Sequence, residues 1–285
     1  MKSRLYILPA LIFAILTVTV ISCGNDRKKG VTDPESLPEE VRPVAIAIMS
    51  DSPAAFSAAV TYPIERPYPL RNIPDSAAMV DYYPVMVDDS LKKVVKESPD
   101  SLWNQAGWRG WTLDDGSWIW IDNGKVYAVN YLSKKEHEML DSLRKEEISS
   151  LEPALRDGWI PVLCVVDTLE GNIFRIDSDS VADNRIYRLA GYRTGTDLSG
   201  APSLILYGSL NLEGSMGNRF YHFTDSLGNN AEYTPDVVED DSIPEIEVIH
   251  QGNPKRYKVK PTYWLDHIGK HRVIKHPSLD EKPHR

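Results

Sequence analysis

Hydrophobic and polar residues alternate with two different periods along this chain, and the change from one to the other divides it. Between Glu39 and Val60 the apolar positions Val44, Ile48, Phe56, Ala59 and Val60 fall at helical spacing. Ser50-Asp51-Ser52-Pro53 interrupts them, and a proline after Asp or Ser is a helix start, so two short helices are predicted. Two more follow over Asp75 to Tyr83 and Asp88 to Ser98. The pattern then changes to strands: Gly107 to Thr112, a turn at Asp114-Asp115-Gly116, then Ser117 to Ile121. Asp122-Asn123-Gly124 supplies the positive-φ residues of a tight hairpin, and Lys125 to Tyr131 returns as its partner. Ser133-Lys134-Lys135-Glu136 has capping-box spacing and opens a helix reaching about Leu151, with Met139, Leu140 and Leu143 on one stripe. After Asp157 the period is two. Leu204, Leu206, Leu210 and Leu212 alternate with Ile205, Tyr207, Ser209 and Asn211; Ile246 and Val248 sit between Glu245, Glu247 and Ile249, and Tyr257 and Val259 between Arg256, Lys258 and Lys260. Such alternation buries one sheet face and wets the other. Further strands are expected near 160–166, 172–177, 185–193, 218–224 and 230–234.

The first residues follow neither period. Lys2 and Arg4 precede an apolar run from Leu5 to Ile21, broken only by Thr17 and Thr19 in polarity and by Pro9 in conformation. The pattern is that of an export signal, and the run is slightly short for the roughly 20 residues of an uncleaved membrane helix. It ends at Val20-Ile21-Ser22-Cys23, which resembles the lipobox of bacterial lipoproteins. The resemblance implies cleavage before Cys23 and acylation of its thiol and new amine. Two or more acyl chains would hold the protein at a membrane, where one binds only marginally.

The stretch from Asp51-Ser52-Pro53-Ala54-Ala55-Phe56 through Tyr62-Pro63, then Gly116 to Lys125, is similar to bacterial members of the NTF2-like (SnoaL-like) family that lack an assigned activity. It covers about residues 40 to 133 and implies helices packed on a curved antiparallel sheet. The expected fold class is therefore α+β: an NTF2-like cone followed by a small all-β antiparallel barrel or sandwich. About 260 mature residues favour two domains. The expected organisation is a signal over 1–22, a flexible stalk over 23–39, the cone over 40–133, a connecting helix over 134–157, a β domain over 158–262 and a basic tail over 263–285.

Charge narrows the partners. The chain is acidic, with 32 Lys and Arg against 41 Asp and Glu, and removal of Lys2 and Arg4 would leave 30 cations. Nucleic acid is not expected as a partner. Nine of the cations follow Gln251 against three acids, so the end of the chain is locally basic. Lipid phosphates or an acidic patch are candidates for it, beside the plainer reading of a solvated tail.

Candidate chemistry is sparse. Of seven tryptophans, five lie between Trp103 and Trp120. Trp111, Trp118, Trp120 and Tyr127 are the candidate ligand-binding set, an aromatic pocket for a sugar or another flat apolar ligand. Domain core is the competing and preferred reading of the same rings. Cys164 lies in an apolar strand and reads as a small buried hydrophobe. Asp177-Ser178-Asp179 begins like a calcium loop and fails at Val181. His267 and His271 are four apart, but Gly269 intervenes and no glutamate completes a zinc-protease motif. Ser90-Leu91-Lys92-Lys93 and Ser142-Leu143-Arg144-Lys145 match a Ser-x-x-Lys element without its companions. No metal or cofactor is expected. The function anticipated is a non-catalytic ligand-binding or protein-interaction module, lipid-anchored in the cell envelope. The alternative is an envelope hydrolase or isomerase using the cone pocket, with Tyr127, Tyr131 or Asp122 as acid or base. Gly24 is not the inner-membrane retention aspartate and Arg27-Lys28-Lys29 replaces an acidic export run, so the periplasmic face of the outer membrane is the expected location and the cell surface the alternative.

Overall fold

The structure is a computed structural model describing residues 33–179, 185–214, 217–236 and 243–268. The signal, Cys23, the stalk up to residue 32, His271 and the tail from residue 269 lie outside the described residues.

Packing begins at Leu37 and Val41, both buried against the first helix. Helices α1 (Arg42–Met49), α2 (Pro53–Ala58), α3 (Ser76–Met86) and α4 (Asp89–Glu97) form the first layer. Their starts are set by side-chain caps. The Ser52 hydroxyl accepts from Ala55 N at 3.2 Å, Asp75 accepts from Ala78 N at 2.9 Å, and Asp88 accepts from Ser90 N and Leu91 N. Each cap satisfies donors that the first turn leaves without partners. Strands β1 (Trp103–Gln105), β2 (Trp111–Leu113), β3 (Ile119–Asp122) and β4 (Lys125–Val129) make an antiparallel meander in sequence order. Asn123 and Gly124 take φ of 50° and 75° in the hairpin between β3 and β4, as the turn requires. Helix α5 (Lys134–Ser150) starts at the Ser133/Glu136 capping box, with both reciprocal bonds formed.

The remaining strands are β5 (Trp159–Asp167), β6 (Ile173–Asp179), β7 (Tyr187–Tyr192), β8 (Leu204–Glu213), β9 (Asn218–Thr224), β10 (Asn230–Tyr233), β11 (Glu245–His250) and β12 (Asn253–Thr262). Each pairs antiparallel with its neighbours in sequence, and β12 returns to β5 to close a barrel of eight. One residue parity fills the interior: Val165, Phe174, Ile176, Leu189, Leu206, Phe223, Ala231, Ile246 and Val259 form a single cluster drawn from all eight strands. The opposite parity of β5, β6 and β7 is covered from outside. Cys164, Ile173, Ala190 and Tyr192 pack there against Leu151, Leu155 and Trp264.

These observations correct the expected fold class. The chain is mostly β, built around a closed eight-stranded barrel beside a four-stranded sheet, and the NTF2-like cone does not form. A cone needs long strands that curve around their helices, whereas β1 to β4 have only three, three, four and five residues. The expected strand over Gly107 to Thr112 is broken by a 3₁₀ turn at Gly107–Arg109, flanked by positive φ at Gly107 and Gly110. At Gly110 the backbone packs so tightly that a Cβ would lie 2.1 Å from the Ile121 carbonyl oxygen. The first half is therefore held mainly by helices α1, α3 and α4 closing on a small sheet.

Candidate functional site

The aromatic residues singled out in the sequence do not assemble into one pocket. Ile119 and Ile121 face the core, and Trp111, paired in register with Ile121, shares that side of the sheet. Trp120 is on the other face, where its indole donates to the Gly116 carbonyl at 3.2 Å and lies so close that a Cβ on Gly116 would meet the ring at 2.5 Å. Arg109 sits 5.5 Å above the Trp120 ring, and Tyr127 touches it at 6.1 Å while donating its hydroxyl to the Arg109 carbonyl. Trp118 stacks instead on Tyr131 at 4.6 Å. Of the four expected residues, only Trp120 and Tyr127 are in ring contact.

The acid and base candidates are likewise placed for structure. Tyr131 donates to both oxygens of Asp88, and burial together with that carboxylate pushes its hydroxyl up to about 12. Burial also raises Tyr127. Neither phenol is a base near neutral pH. Asp122 is exposed in the hairpin turn and accepts from Asn123. The enzymatic alternative depended on the pocket of a cone, and that fold is not the one adopted.

A cleft of about 670 Å³ opens elsewhere, between the helical half and one rim of the barrel. The loop from Glu65 to Asn72 forms one wall, and β5 from Ile160 to Val165 forms another. Ser178, Asp179, Arg219, Tyr233 and Pro244 bring in the ends of four further strands or their flanks. Its position follows from how the barrel closes. Strand β5 has nine residues, but β12 pairs only with Cys164, Val165, Val166 and Asp167 before turning away at Thr262. The stretch of β5 before Cys164 is left without β12, and Ile160, Pro161, Val162 and Leu163 face the cleft instead.

Four arginines line this space, Arg66, Arg144, Arg185 and Arg219, against two acids, Glu65 and Asp179. Two of the arginines are committed. Arg66 is buried, donates to Glu136 at 2.8 Å and to the carbonyls of Val129 and Tyr131, and so ties the loop to the start of α5. Arg219 grips Asp236 through its guanidinium and its backbone N–H. Among the described residues no carboxylate lies at ion-pair distance from Arg144 or Arg185. The Nε of Arg144 is buried without a hydrogen-bond partner, and its partial burial lowers the guanidinium pKa.

Comparison of the chain with protein-family models, curated proteins and solved structures finds no match. The functional reading therefore rests on the geometry.

Behind the cleft lies a buried ionic chain that the sequence reading missed. Glu147 on α5 pairs with Arg175, Arg175 with Asp177 at 2.6 Å, and Asp177 with Arg188 at 2.7 Å. All four are buried on the outer wall of the barrel. The Tyr68 hydroxyl donates to Glu147 at 2.9 Å and accepts from the Trp264 backbone N–H. Trp264 and Trp159 cover Arg175 and Arg188 at 5.2 and 4.4 Å. Burial pushes the Glu147 carboxyl up to about 6, although Arg175 and Tyr68 oppose the shift. Arg175 is held above its ordinary range by Asp177 and Glu147, which outweigh the cost of burial. The network attaches α5 and the 65–72 loop to the barrel and so fixes both walls of the cleft. The available signal was Arg175-Ile176-Asp177 with Arg188 on the next strand, charges spaced two apart along an expected strand.

The remaining sequence candidates have structural placements. Asp177 is in mid-strand between two arginines, which leaves no calcium loop around it. His267 Nε2 sits 2.7 Å from the Thr262 hydroxyl, and burial lowers its pKa, so the ring is neutral at pH 7. Among the described residues, no group of three or more His, Cys, Asp or Glu converges as metal ligands do. Cys164 is buried and burial raises its thiol pKa well above the usual range.

Proposed function

We propose that this chain is a lipid-anchored protein of the cell envelope whose folded part works by binding, through the cleft between the helical half and the barrel rim. The anchor is read from Val20-Ile21-Ser22-Cys23 and the apolar run before it. The binding role is carried by one observation: a cleft of about 670 Å³ with an excess of arginine over acid, in a chain whose net charge is -9. That volume is within the usual range of ligand sites, roughly 300 to 1,000 Å³, and the mouths of barrels are common places for them. Tyr68, Tyr233 and Leu163 supply apolar contact, while Arg144 and Arg185 supply charge, so the preferred ligand is anionic with an apolar portion. The committed pairings of Arg66 and Arg219 favour a binding site over a catalytic one, because both guanidinia hold structure in place.

Three measurements test this reading. Cys23→Ser should release the protein from envelope membranes and leave its thiol position unlipidated by mass spectrometry; unchanged fractionation would remove the anchor. Protease treatment of intact cells should spare the folded part if it faces the periplasm, and release of it would move it to the surface. For the cleft, the full chain in mild detergent should bind 4-phenylbutyrate, a carboxylate with an apolar ring, by calorimetry. Binding should fall in Arg144→Gln/Arg185→Gln, and absence of binding in the parent chain would remove the cleft as an anion site.

A further inference from the structure

We infer that the cleft takes an extended acidic peptide segment, which pairs with the vacant edge of β5 as an added strand. The inference rests on the binding role just proposed for the cleft and names the class of ligand. Two independent features lead to it. The first is the vacant backbone: Trp159, Ile160, Pro161 and Leu163 pair with β6 alone, with Val162 the unpaired residue of the bulge, because β12 stops at Thr262 opposite Cys164. In an antiparallel ladder successive residues direct their N–H and C=O groups to opposite sides, so part of this stretch points its groups into the cleft. Among the described residues, no backbone or side-chain hydrogen bond from outside the β5 to β6 ladder reaches them. An extended guest supplies the complementary row of donors and acceptors, and pockets beside it read alternate side chains.

The second feature is charge. Arg144 and Arg185 line the same space without an ion-pair partner among the described residues, whereas the cleft's other arginines are held by Glu136 and Asp236. An alternating guest places every second side chain on one face, so acids at that spacing meet the arginines while apolar residues meet Val162, Leu163 and Tyr233. Pro161 has no N–H to offer, and β5 bulges between Pro161 and Leu163. Both features shorten the usable edge and oppose indiscriminate pairing with other strands. The guest is accordingly a short segment of about four or five residues, matched to the edge from Ile160 to Leu163. It must also present an N–H opposite the carbonyls that Pro161 and its neighbours leave free.

The test uses the full chain in mild detergent and three fluorescein-labelled pentapeptides with blocked ends. One is Val-Glu-Val-Glu-Val, one is Val-Lys-Val-Lys-Val, and one is the acidic peptide N-methylated at both glutamates. Fluorescence anisotropy should show the acidic peptide binding at least about tenfold more tightly than the lysine peptide. Methylation removes two backbone donors and should weaken it by about tenfold or more. Arg144→Gln/Arg185→Gln should weaken the acidic peptide by about fivefold to tenfold, with a smaller effect at high salt. Equal binding of the lysine peptide, or full binding of the methylated one, overturns the inference. Should no peptide bind at about 1 mM while 4-phenylbutyrate still binds in an arginine-dependent way, the peptide is refuted and the cleft reading stands. If neither binds, both are refuted.

Discussion

Replacement of Glu147 by glutamine isolates the energetic consequence of burying a carboxylate between α5 and the barrel. The side chain is fully buried, and burial raises its pKa from 4.5 to about 6 even with Arg175 and Tyr68 as partners. A carboxyl bound more tightly to its proton in the fold than in the unfolded chain favours folding most below pH 4.5. That contribution is lost as pH rises through 6. The shift of about 1.5 units corresponds to about 2 kcal/mol. Glutamine keeps an oxygen for the Tyr68 hydroxyl and has no proton to lose, while Arg175 retains Asp177 at 2.6 Å. Urea unfolding of both proteins between pH 4.5 and 7.5 measures the effect, since groups that titrate alike in both cancel in the difference. Across that range the parent should lose about 1.6 kcal/mol relative to Glu147→Gln, because the unfolded carboxyl is already half ionised at pH 4.5. A difference independent of pH refutes the argument. If the parent instead gains on the variant as pH rises, Arg175 dominates desolvation and the carboxyl is held below its ordinary value.

Arg66→Met should cost about 3 to 5 kcal/mol in urea unfolding, because Glu136 would remain buried without its cation; a loss under about 1 kcal/mol would mean that the pair is dispensable. Gly110→Ala and Gly107→Ala separate crowding from backbone strain. Both residues have positive φ, but only at Gly110 would the new Cβ strike backbone, so Gly107→Ala should cost about 1 kcal/mol and Gly110→Ala at least about 2. Equal costs in thermal unfolding would refute the close approach to Ile121. Cys164 should resist Ellman's reagent in the folded protein and react once unfolded, since burial keeps it as the protonated thiol. Stoichiometric labelling within minutes under native conditions would show that β5 opens readily.

Local features written in short stretches of sequence reappear as predicted. Ser52, Asp75, Asp88 and the Ser133/Glu136 box start helices because a cap involves residues within three positions of each other. Asn123-Gly124 turns a hairpin for the same local reason, and the period-two runs over 204–212 and 245–260 become β8, β11 and β12. The cone fails because its evidence was also local: Trp118 to Ile121 reads as strand, but nothing in those residues states that β1 to β4 would be too short to curve around a cavity.

What the chain's own pattern determined is the type and order of most elements and much of the residue parity that enters the barrel; β1, the turn at Gly107–Arg109 and the exposure of Leu212 were outside it. Tertiary structure alone decided which charges are buried and where a ligand fits. Arg175, Asp177 and Arg188 occupy the parity that alternation assigns to water, and only the docking of α5 and Trp264 on that wall removes them from it. The cleft depends on β12 leaving β5 at Thr262 and on Arg66, Arg144, Arg185 and Arg219 arriving from four separate segments. Hydrophobic periodicity reports one element's own faces. Barrel closure and charge burial depend on which other elements meet those faces, over separations that no local pattern carries.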